Sequence, residues 1–207
     1  MPEIADDGTP ELDIAESLRI GSAVLAARKS KSWSIKALAD TSGLSTGMIS
    51  QIERGRSLPS LKSLMMLAAA LDVQIGHFFN APEAPPHRGS SIYVVHRNER
   101  PTLKLTPTGV TKQHLSPDVP GMIEMFEVKL AAGGSSGPEF YRHEGEKAGM
   151  VLSGRLELWI NDEPTLLEAG DSFRFPSSLP SRFNNPGSDE THLIWVLINT
   201  DKTQLHL

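Results

Sequence analysis

The sequence has no cysteine, few aromatic residues and no long hydrophobic run. The absence of cysteine from its 207 residues excludes disulfides, thiolate zinc sites and a cysteine nucleophile. No apolar stretch approaches the ~18 residues needed to span a bilayer. The acidic segment MPEIADDGTPELD at the start lacks the basic and apolar regions of a signal peptide. We therefore expect a cytoplasmic protein with no membrane partner.

Positive charge is also scarce over the whole chain. The formal net charge is −5, which does not indicate nucleic-acid binding by the protein as a whole. The charge is unevenly distributed, however, because residues 28–62 hold seven Lys/Arg against two Asp/Glu. This local excess marks a basic segment within an acidic protein.

The pattern of residues changes near position 80. Residues 12–80 carry apolar side chains at helical spacing, whereas from Ile92 onward short apolar runs are broken by Gly, Pro, Asn and Asp. Between them APEAPPHRGSS has no periodicity and is typical of a linker. We expect a multi-domain protein with an all-α domain at 12–80, a linker at 81–91 and an all-β domain at 92–207.

The first part of the chain predicts five short helices, the first at about 14–29 and the last a short turn at 75–79. Three serines precede predicted helices as N-cap candidates, because a serine hydroxyl accepts a hydrogen bond from an unpaired first-turn N–H: Ser34, Ser45 and Ser60. Gly43 supplies the left-handed residue that ends the second helix.

Within this part, the motifs ALAD, GLS and MISQIERG are followed by Pro59-Ser60 and a Leu/Ala-rich helix. Residues 18–79 thereby resemble the helix-turn-helix domain of the XRE family, the class of lambda-type repressors and Cro. The resemblance implies a five-helix lambda-repressor-like domain that binds double-stranded operator DNA as a homodimer.

In such a domain the second helix of the pair lies in the major groove, and here that helix follows Ser45. Gln51 suits adenine, and Met48 suits a thymine methyl, whereas Gly47 offers no side chain, so sequence preference would rest on few contacts or on DNA shape. The candidate base-contacting residues are Ser45, Thr46, Gly47, Met48, Ser50 and Gln51. The candidate phosphate-contacting residues are Lys36, Arg54, Arg56, Ser60 and Lys62.

Two alternatives concern the charges of this part. The segment could be a small helical bundle whose basic face is merely solvated. Glu53 would not face negatively charged DNA, and we expect it to pair with Arg28 across two helices.

The second part predicts about ten short strands, typical of an antiparallel barrel or sandwich. The clearer segments are SIYVV, VTKQHL, MIEMFEVKL, GMVLSG, RLELWI, PTLLEA, DSFRFP and THLIWVLI. Gly154, Asn161-Asp162 and Gly170-Asp171 mark tight turns between them.

The run HEGEK…VLSG, followed by LLEAGDS…FP and RFNN, resembles the cupin family over residues 137–199. The resemblance implies a jelly-roll barrel, and an XRE domain joined to a cupin is a recurring architecture of bacterial transcriptional regulators. A metal-bearing cupin uses His-x-His, a Glu four residues later, and a His in its second motif. The corresponding residues here are Tyr141, His143, Lys147 and Ser181.

Only His143 of those four positions keeps a metal ligand, and Lys147 places a cation where the metal charge would be. Divalent metals need three or four converging N, O or S ligands, so we expect no metal and no cofactor. His114 and His192 are the residues that neighbouring strands would offer as replacement ligands.

Two interpretations of the barrel interior then remain. Either it is a packed, structural body for dimerisation, or the same four residues (Tyr141, His143, Lys147 and Ser181) line a site for a small effector. A lysine with a phenol, an imidazole and a hydroxyl suits a carboxylate or another small anion. Alternatively Lys147 is neutralised by Glu139, Glu144 or Glu146, or points to solvent.

Three functions compete. The one we favour is a sequence-specific, effector-responsive transcriptional regulator that is not an enzyme. The others are a metal-dependent cupin enzyme with a DNA-binding head, and a repressor that answers to a protein partner and has an inert barrel.

Overall fold

Four α-helices and one 3₁₀ helix form the first part of the computed structural model, which describes residues 9–79, 91–117, 119 and 121–199. They are α1 (Thr9–Ser30), α2 (Ile35–Ser42), α3 (Thr46–Glu53), α4 (Leu61–Leu71) and the 3₁₀ helix Ile75–Phe79. Within the described ranges, no helix combines the length and apolarity needed to cross a bilayer. Most of the expected linker 81–91 lies outside the described residues, so the domain limits stay a prediction.

The expected fifth helix is a 3₁₀ helix and not an α-helix. Its Gly76 N–H donates to the Glu124 carboxylate at 3.0 Å. This amide is one of the first-turn N–H groups that have no partner within a helix, and it is bonded to a side chain from the other part of the protein.

The predicted caps are confirmed. The hydroxyls of Ser34, Ser45 and Ser60 accept hydrogen bonds from the third residue of α2, α3 and α4, respectively. Gly43 ends α2 with φ 74°, a conformation in which glycine carries no Cβ penalty. These caps fix the angle at which α3 leaves α2.

The predicted pair between Arg28 and Glu53 is also confirmed. Arg28 donates to both Glu53 carboxylate oxygens at 2.6 and 2.8 Å, and to the Trp33 carbonyl at 2.6 Å. Both charged side chains are largely buried, and the hydrogen bond to Glu53 raises the pKa of Arg28. The pair therefore ties the end of α3 to α1.

In the described residues after position 91, nine strands form two antiparallel sheets. They are β1 (Thr102–Leu105), β2 (Val110–His114), β3 (Ile123–Leu130), β4 (Glu146–Ser153), β5 (Arg155–Ile160), β6 (Glu163–Glu168), β7 (Ser172–Pro176), β8 (Ser181–Asn184) and β9 (Thr191–Ile198). The larger sheet has the order β1-β2-β3-β9-β4-β7 and the smaller β6-β5-β8. The sheets face each other, since Phe183 of β8 packs on Trp195 of β9 with ring centroids 5.1 Å apart. The expected closure into a jelly-roll barrel stays a prediction.

One predicted strand is wrong. SIYVV, residues 91–95, forms a turn in which the Val94 N–H donates to the Ser91 carbonyl and the Tyr93 N–H to the Ser91 hydroxyl. Ile92, Tyr93 and Val94 are exposed. The β-branched residues predicted a strand, but the Ser91 hydroxyl accepts a local backbone hydrogen bond that competes with pairing in a sheet.

The two parts of the chain meet at a junction built on the 3₁₀ helix. Phe79 packs on Phe126 of β3, with centroids 5.6 Å apart, and its edge faces the ring of His114. A Cβ on Gly76 would lie 2.3 Å from the His114 ring, so only glycine permits this approach. The junction therefore has a defined steric fit.

Replacing Glu53 with Met should destabilise the helical part by about 3–5 kcal/mol, because Arg28 would keep a buried charge with no counter-charge. The double variant Arg28→Met/Glu53→Met should lose less than Glu53→Met alone. Urea unfolding monitored by helical circular dichroism measures both.

Asp40→Ala is the matched control, since it removes an exposed ion pair to Lys36 at 2.6 Å. It should cost less than about 0.5 kcal/mol. Equal losses for Asp40→Ala and Glu53→Met would contradict the role assigned to the buried pair.

Candidate functional site

The exposed side of α3 carries most of the residues that the sequence assigned to base contacts. Ile49 and Ile52 are buried at 0% and 1% exposure and pin the opposite side of the helix to the core. Four of the remaining candidates on α3 are exposed: Thr46, Gly47, Met48 and Gln51. The fifth, Ser50, is half-buried. The structure thus presents a polar helix face with one apolar residue, Met48.

At two of the candidate positions, Ser45 and Gly47, the structure limits what the residue can offer to a base. The hydroxyl of Ser45 accepts the Met48 N–H at 3.1 Å and is occupied by capping. A Cβ on Gly47 would meet only that hydroxyl, at 3.9 Å. Packing within the protein therefore does not require glycine at position 47, although glycine costs about 1 kcal/mol in a helix.

The candidate phosphate contacts differ in how they are engaged. Arg54 and Arg56 are exposed, and in the described part of the chain no carboxylate lies within 4 Å of either guanidinium. Lys36 pairs with Asp40, and Lys62 pairs at 2.5 Å with Glu139 of the β part. The hydroxyl of Ser60 caps α4. The two arginines are thus the most available cations of this surface.

The second candidate site lies between the two sheets. Lys147 of β4 is fully buried, and its Nζ donates to the Ser181 hydroxyl at 2.8 Å. The same Nζ lies 4.2 Å from the ring centroid of Tyr141 and 5.4 Å from that of Phe175. Tyr141 and Ser181 exchange backbone hydrogen bonds at 3.1 Å, which makes them cross-strand neighbours beside the amine.

His143 stands at the edge of this group. Its backbone N–H donates to the Ser177 carbonyl at 3.0 Å, and its Nδ1 lies 2.6 Å from the Glu144 carbonyl. Its Nε2 is buried and has no hydrogen-bond partner among the described residues. Burial, together with the positive charges of Lys147 and Lys112, lowers the pKa of His143 to about 4.

The structure contradicts both alternatives that the sequence left open for Lys147, namely neutralisation by a nearby glutamate and a side chain that points to solvent. The side chain does not point to solvent, since it is 0% exposed. Glu139 pairs with Lys62 and Glu146 pairs with Arg174, and of the described carboxylates none lies within 4 Å of the Lys147 amine. Without an adjacent anion, burial lowers the pKa of Lys147 to about 7.

Sequence reasoning missed three buried polar residues of this interior: Lys112, Glu124 and Ser177. Lys112 lies on β2 in phase with the buried Val110 and His114, but VTKQH has polar residues in both phases, so the sequence alone does not mark this lysine as inward-facing. Burial lowers its pKa to about 8, although Glu124 opposes the shift. No sequence signal marked Ser177, which reaches the interior only because of the turn after β7.

A family-type metal centre does not fit these residues. Lys147 donates to Ser181, so an amine and a hydroxyl occupy two of the expected ligand positions. His114 lies near Glu124 at 3.7 Å, whereas His192 pairs with Glu127 at 2.8 Å on the outer side of the sheet. Over the described ranges, no three His, Cys, Asp or Glu residues converge as a metal site would need.

Two family models match separate parts of the sequence. One, described as a helix-turn-helix, matches residues 24–78. The other, described as a cupin domain, matches residues 126–197.

Two curated relatives resemble most of the chain. The HTH-type transcriptional regulator PuuR of Escherichia coli K12 is 26% identical over 179 residues, which cover 86% of this chain and 94% of PuuR. The HTH-type transcriptional regulator SutR of the same organism is 26% identical over 165 residues, covering 80% and 86%.

A solved structure resembles the whole fold. The crystal structure of an HTH_3 family transcriptional regulator from Vibrio cholerae has a TM-score of 0.71 and 22% identity, and the match covers 90% of this chain and 98% of that one. At this identity, the likeness supports the fold and its element order.

The buried amine predicts how stability depends on pH. The pKa of Lys147 is about 7 in the folded protein and near 10.5 in an unfolded chain. Between these values the unfolded state binds a proton that the folded state lacks, so the free energy of unfolding should increase as pH rises from about 7 to about 10. Each such proton contributes a slope of about 1.4 kcal/mol per pH unit.

Lys147→Met should reduce the pH dependence of the free energy of unfolding by the contribution of about one proton. The variant should also be more stable than the wild type at pH 6. Urea unfolding at several pH values between 6 and 10 measures both effects. Lys104→Met, which alters an exposed lysine, should leave the slope unchanged. An unaltered slope in Lys147→Met would mean that this amine is not the titrating group.

Proposed function

This chain combines an XRE-type helix-turn-helix domain with a cupin domain, and we propose that it is a sequence-specific DNA-binding transcriptional regulator, not an enzyme. In the proposal α3 reads operator DNA in the major groove, and the cupin interior binds a small anionic effector without metal. The observation that carries it is the exposed polar face of α3, fixed from behind by Ile49, Ile52 and the Arg28–Glu53 pair. PuuR and SutR are both named transcriptional regulators, which supports this proposal.

Charge supports the DNA-binding role. Arg54 and Arg56 follow α3 and are exposed, so they can meet phosphates on the backbone that flanks the major groove. Lys62 would have to exchange Glu139 for a phosphate, at small cost because the pair is partly exposed. At Gly47 the protein offers only backbone, which favours close approach to DNA over base readout by a side chain.

The interior supports an effector role rather than a purely structural one. Lys147 is fully buried, has no adjacent carboxylate in the described part of the chain, and uses one of its three N–H donors on Ser181. Packed interiors seldom retain such an amine, because an unpaired buried charge costs several kcal/mol. A carboxylate bound there would meet the amine and the Ser181 hydroxyl together.

The enzyme alternative has a weaker basis. It would need a metal centre, and the residues at the family's ligand positions include an amine that is hydrogen-bonded to a hydroxyl. The alternative of an inert barrel would leave Lys147 without a counter-charge. We therefore prefer the effector-responsive regulator over both.

Gln51→Ala should relax base preference at one position per half-site, since a bidentate contact to adenine discriminates by about 1–3 kcal/mol. Arg56→Ala should weaken binding to all sequences alike and reduce the salt dependence of binding by about one phosphate. Selecting duplexes from a random library, and then titrating single-base variants by fluorescence anisotropy, measures both effects. If Gln51→Ala left every base substitution equally costly, the assigned readout would be wrong.

We also propose that the protein is a homodimer, because paired recognition helices read half-sites about 34 Å apart. A contiguous apolar patch on the outer face of the larger sheet suits a second copy. Met125 of β3 is beside Val196 of β9, which is beside Ala148 of β4, and Ile194 is beside Met150. Met125 and Met150 are 39% and 44% exposed.

Charges of both signs surround this patch, including Lys129, Glu146 and Arg174. A surface with a hydrophobic centre and mixed charges at its rim can be complementary to itself, as a two-fold interface requires.

Met125→Lys/Met150→Lys should shift the protein to monomer in sedimentation velocity, because two amines would be desolvated in the interface. Leu166→Lys is the matched control, since Leu166 is 51% exposed on β6 of the smaller sheet. Dissociation by Leu166→Lys with no effect of the double variant would move the interface to the smaller sheet.

A further inference from the structure

The interior of the cupin part holds a second buried lysine, which is not among the effector-site residues predicted from the sequence. Lys112 of β2 is 4% exposed, and its Nζ lies 5.3 Å from the ring centroid of Phe126. Within the described residues its amine has no hydrogen-bond acceptor, and no carboxylate lies within 4 Å. Lys112 is therefore a buried amine with unused donors, like Lys147.

Each amine marks one subsite of the same interior, and the charge of Lys112 contributes to the lowered pKa of Lys147. Lys112 is on β2 and Lys147 on β4, with β3 and β9 between them in the larger sheet. Strands are about 4.8 Å apart, so the two backbones are separated by three such steps. Each amine faces its own aromatic ring, Phe126 for Lys112 and Tyr141 for Lys147.

The floor between the subsites is apolar. Lys112 is in register with Val128, and Val128 with Leu193. Leu193 and Trp195 of β9 are buried at 0% and 1% exposure on the same inner face. This stretch of the inner face therefore offers hydrocarbon and no polar partner, and the ring of Trp195 also packs on Phe173 and Phe183.

Two further polar atoms face the interior without a partner among the described residues. They are the Ser177 hydroxyl, which is 0% exposed, and the Nε2 of His143. Buried polar atoms are ordinarily hydrogen-bonded, so each unpaired one calls for an explanation. Both lie on the side of Lys147, where a bound carboxylate oxygen would supply an acceptor for the Ser177 hydroxyl.

Glu124 does not fill the role of the missing anion. Its Oε1 accepts from the Gly76 N–H at 3.0 Å and its Oε2 from Asn199 at 3.2 Å. Glu124 is therefore engaged with the junction between the two parts of the chain. Its negative charge favours the charged form of Lys112. Its carboxylate oxygens, however, lie more than 4 Å from the Lys112 amine and form no ion pair with it.

We propose that the effector is a small dicarboxylate that spans the interior, with one carboxylate at Lys147 and Ser181 and the other at Lys112. Its short hydrocarbon chain lies along the apolar inner face of the larger sheet between the two amines. The inference rests on the proposed effector role of this interior and adds the ligand class and a second recognition residue. A monocarboxylate would leave one amine without an anion.

The test is titration calorimetry on the full-length protein at pH 6.5 and constant ionic strength. The probes are straight-chain dicarboxylates from malonate to adipate, monocarboxylates of matching length, and inorganic phosphate. At least one dicarboxylate should bind about tenfold or more tightly than its matched monocarboxylate, since a charge-assisted contact contributes about that factor.

Variants separate the two subsites. Lys112→Met should weaken the preferred dicarboxylate about tenfold and leave the matched monocarboxylate nearly unchanged, whereas Lys147→Met should weaken both. Lys104→Met, an exposed lysine on β1, should change neither. Thermal unfolding checks that the variants fold, which removal of a buried charge should favour.

The pH profile supplies an independent readout. The titratable groups around the site are Lys112, Lys147, His143, His114, Tyr141 and Glu124. Burial lowers the pKa of Lys147 to about 7 and that of Lys112 to about 8. Dicarboxylate binding should therefore take up protons at pH 8 and weaken as pH rises, which calorimetry in buffers of different ionisation heat detects.

Three results would overturn the inference: equal affinity for matched mono- and dicarboxylates, tighter binding of phosphate than of any dicarboxylate, or no binding of any probe. Anisotropy with the selected duplex is run in parallel. If DNA binding persists while the acids fail, the dicarboxylate inference fails and the regulator stands. If no duplex is selected, the proposed function fails irrespective of the acids.

Discussion

The arrangement of the two parts of this chain depends on one buried carboxylate, that of Glu124. It is 1% exposed and accepts hydrogen bonds from Gly76 of the helical part and from Asn199 after β9. A charged carboxylate without such donors would cost several kcal/mol in this position, so the 3₁₀ helix and the sheet hold each other in place. Lys112 is the basic side chain whose charge acts on this carboxylate. Burial raises the pKa of Glu124 and the charge of Lys112 opposes that shift, so the sheet interior acts electrostatically on the carboxylate at this contact.

Most of the helical part could be predicted from sequence because its signals are local. Serine caps, the left-handed Gly43 and the spacing of Ile49 and Ile52 each act within one or two helical turns. The Arg28–Glu53 pair was expected on charge alone, because a carboxylate at position 53 would not face negatively charged DNA. The last short turn, predicted at 75–79, is a 3₁₀ helix over the same residues, but its Gly76 N–H bonds to a residue 48 positions later, a partner that no local pattern reveals.

The interior of the sheet part was only half predictable. Tyr141, Lys147 and Ser181 were assigned by laying the chain on the cupin motifs, and the structure does bring these three together. Lys112 was missed because VTKQH alternates polar residues on both faces, so its inward phase is set only by pairing with β3. A register of this kind depends on long-range contacts that a single sequence does not display.

The same geometry explains why a single substitution would not return this interior to a metal site. Lys147→Glu would place a carboxylate where cupin metal ligands include one, beside His143. Tyr141 and Ser181 would still stand at the remaining positions, and their backbones pair with each other as an isolated bridge. Two strong ligands do not hold a divalent metal, and a buried carboxylate against the Tyr141 ring would lack the amine that now lies 4.2 Å from it. The replacements at positions 141, 147 and 181 therefore form one unit, in which the amine, the ring face and the hydroxyl satisfy each other and leave donors for an anion.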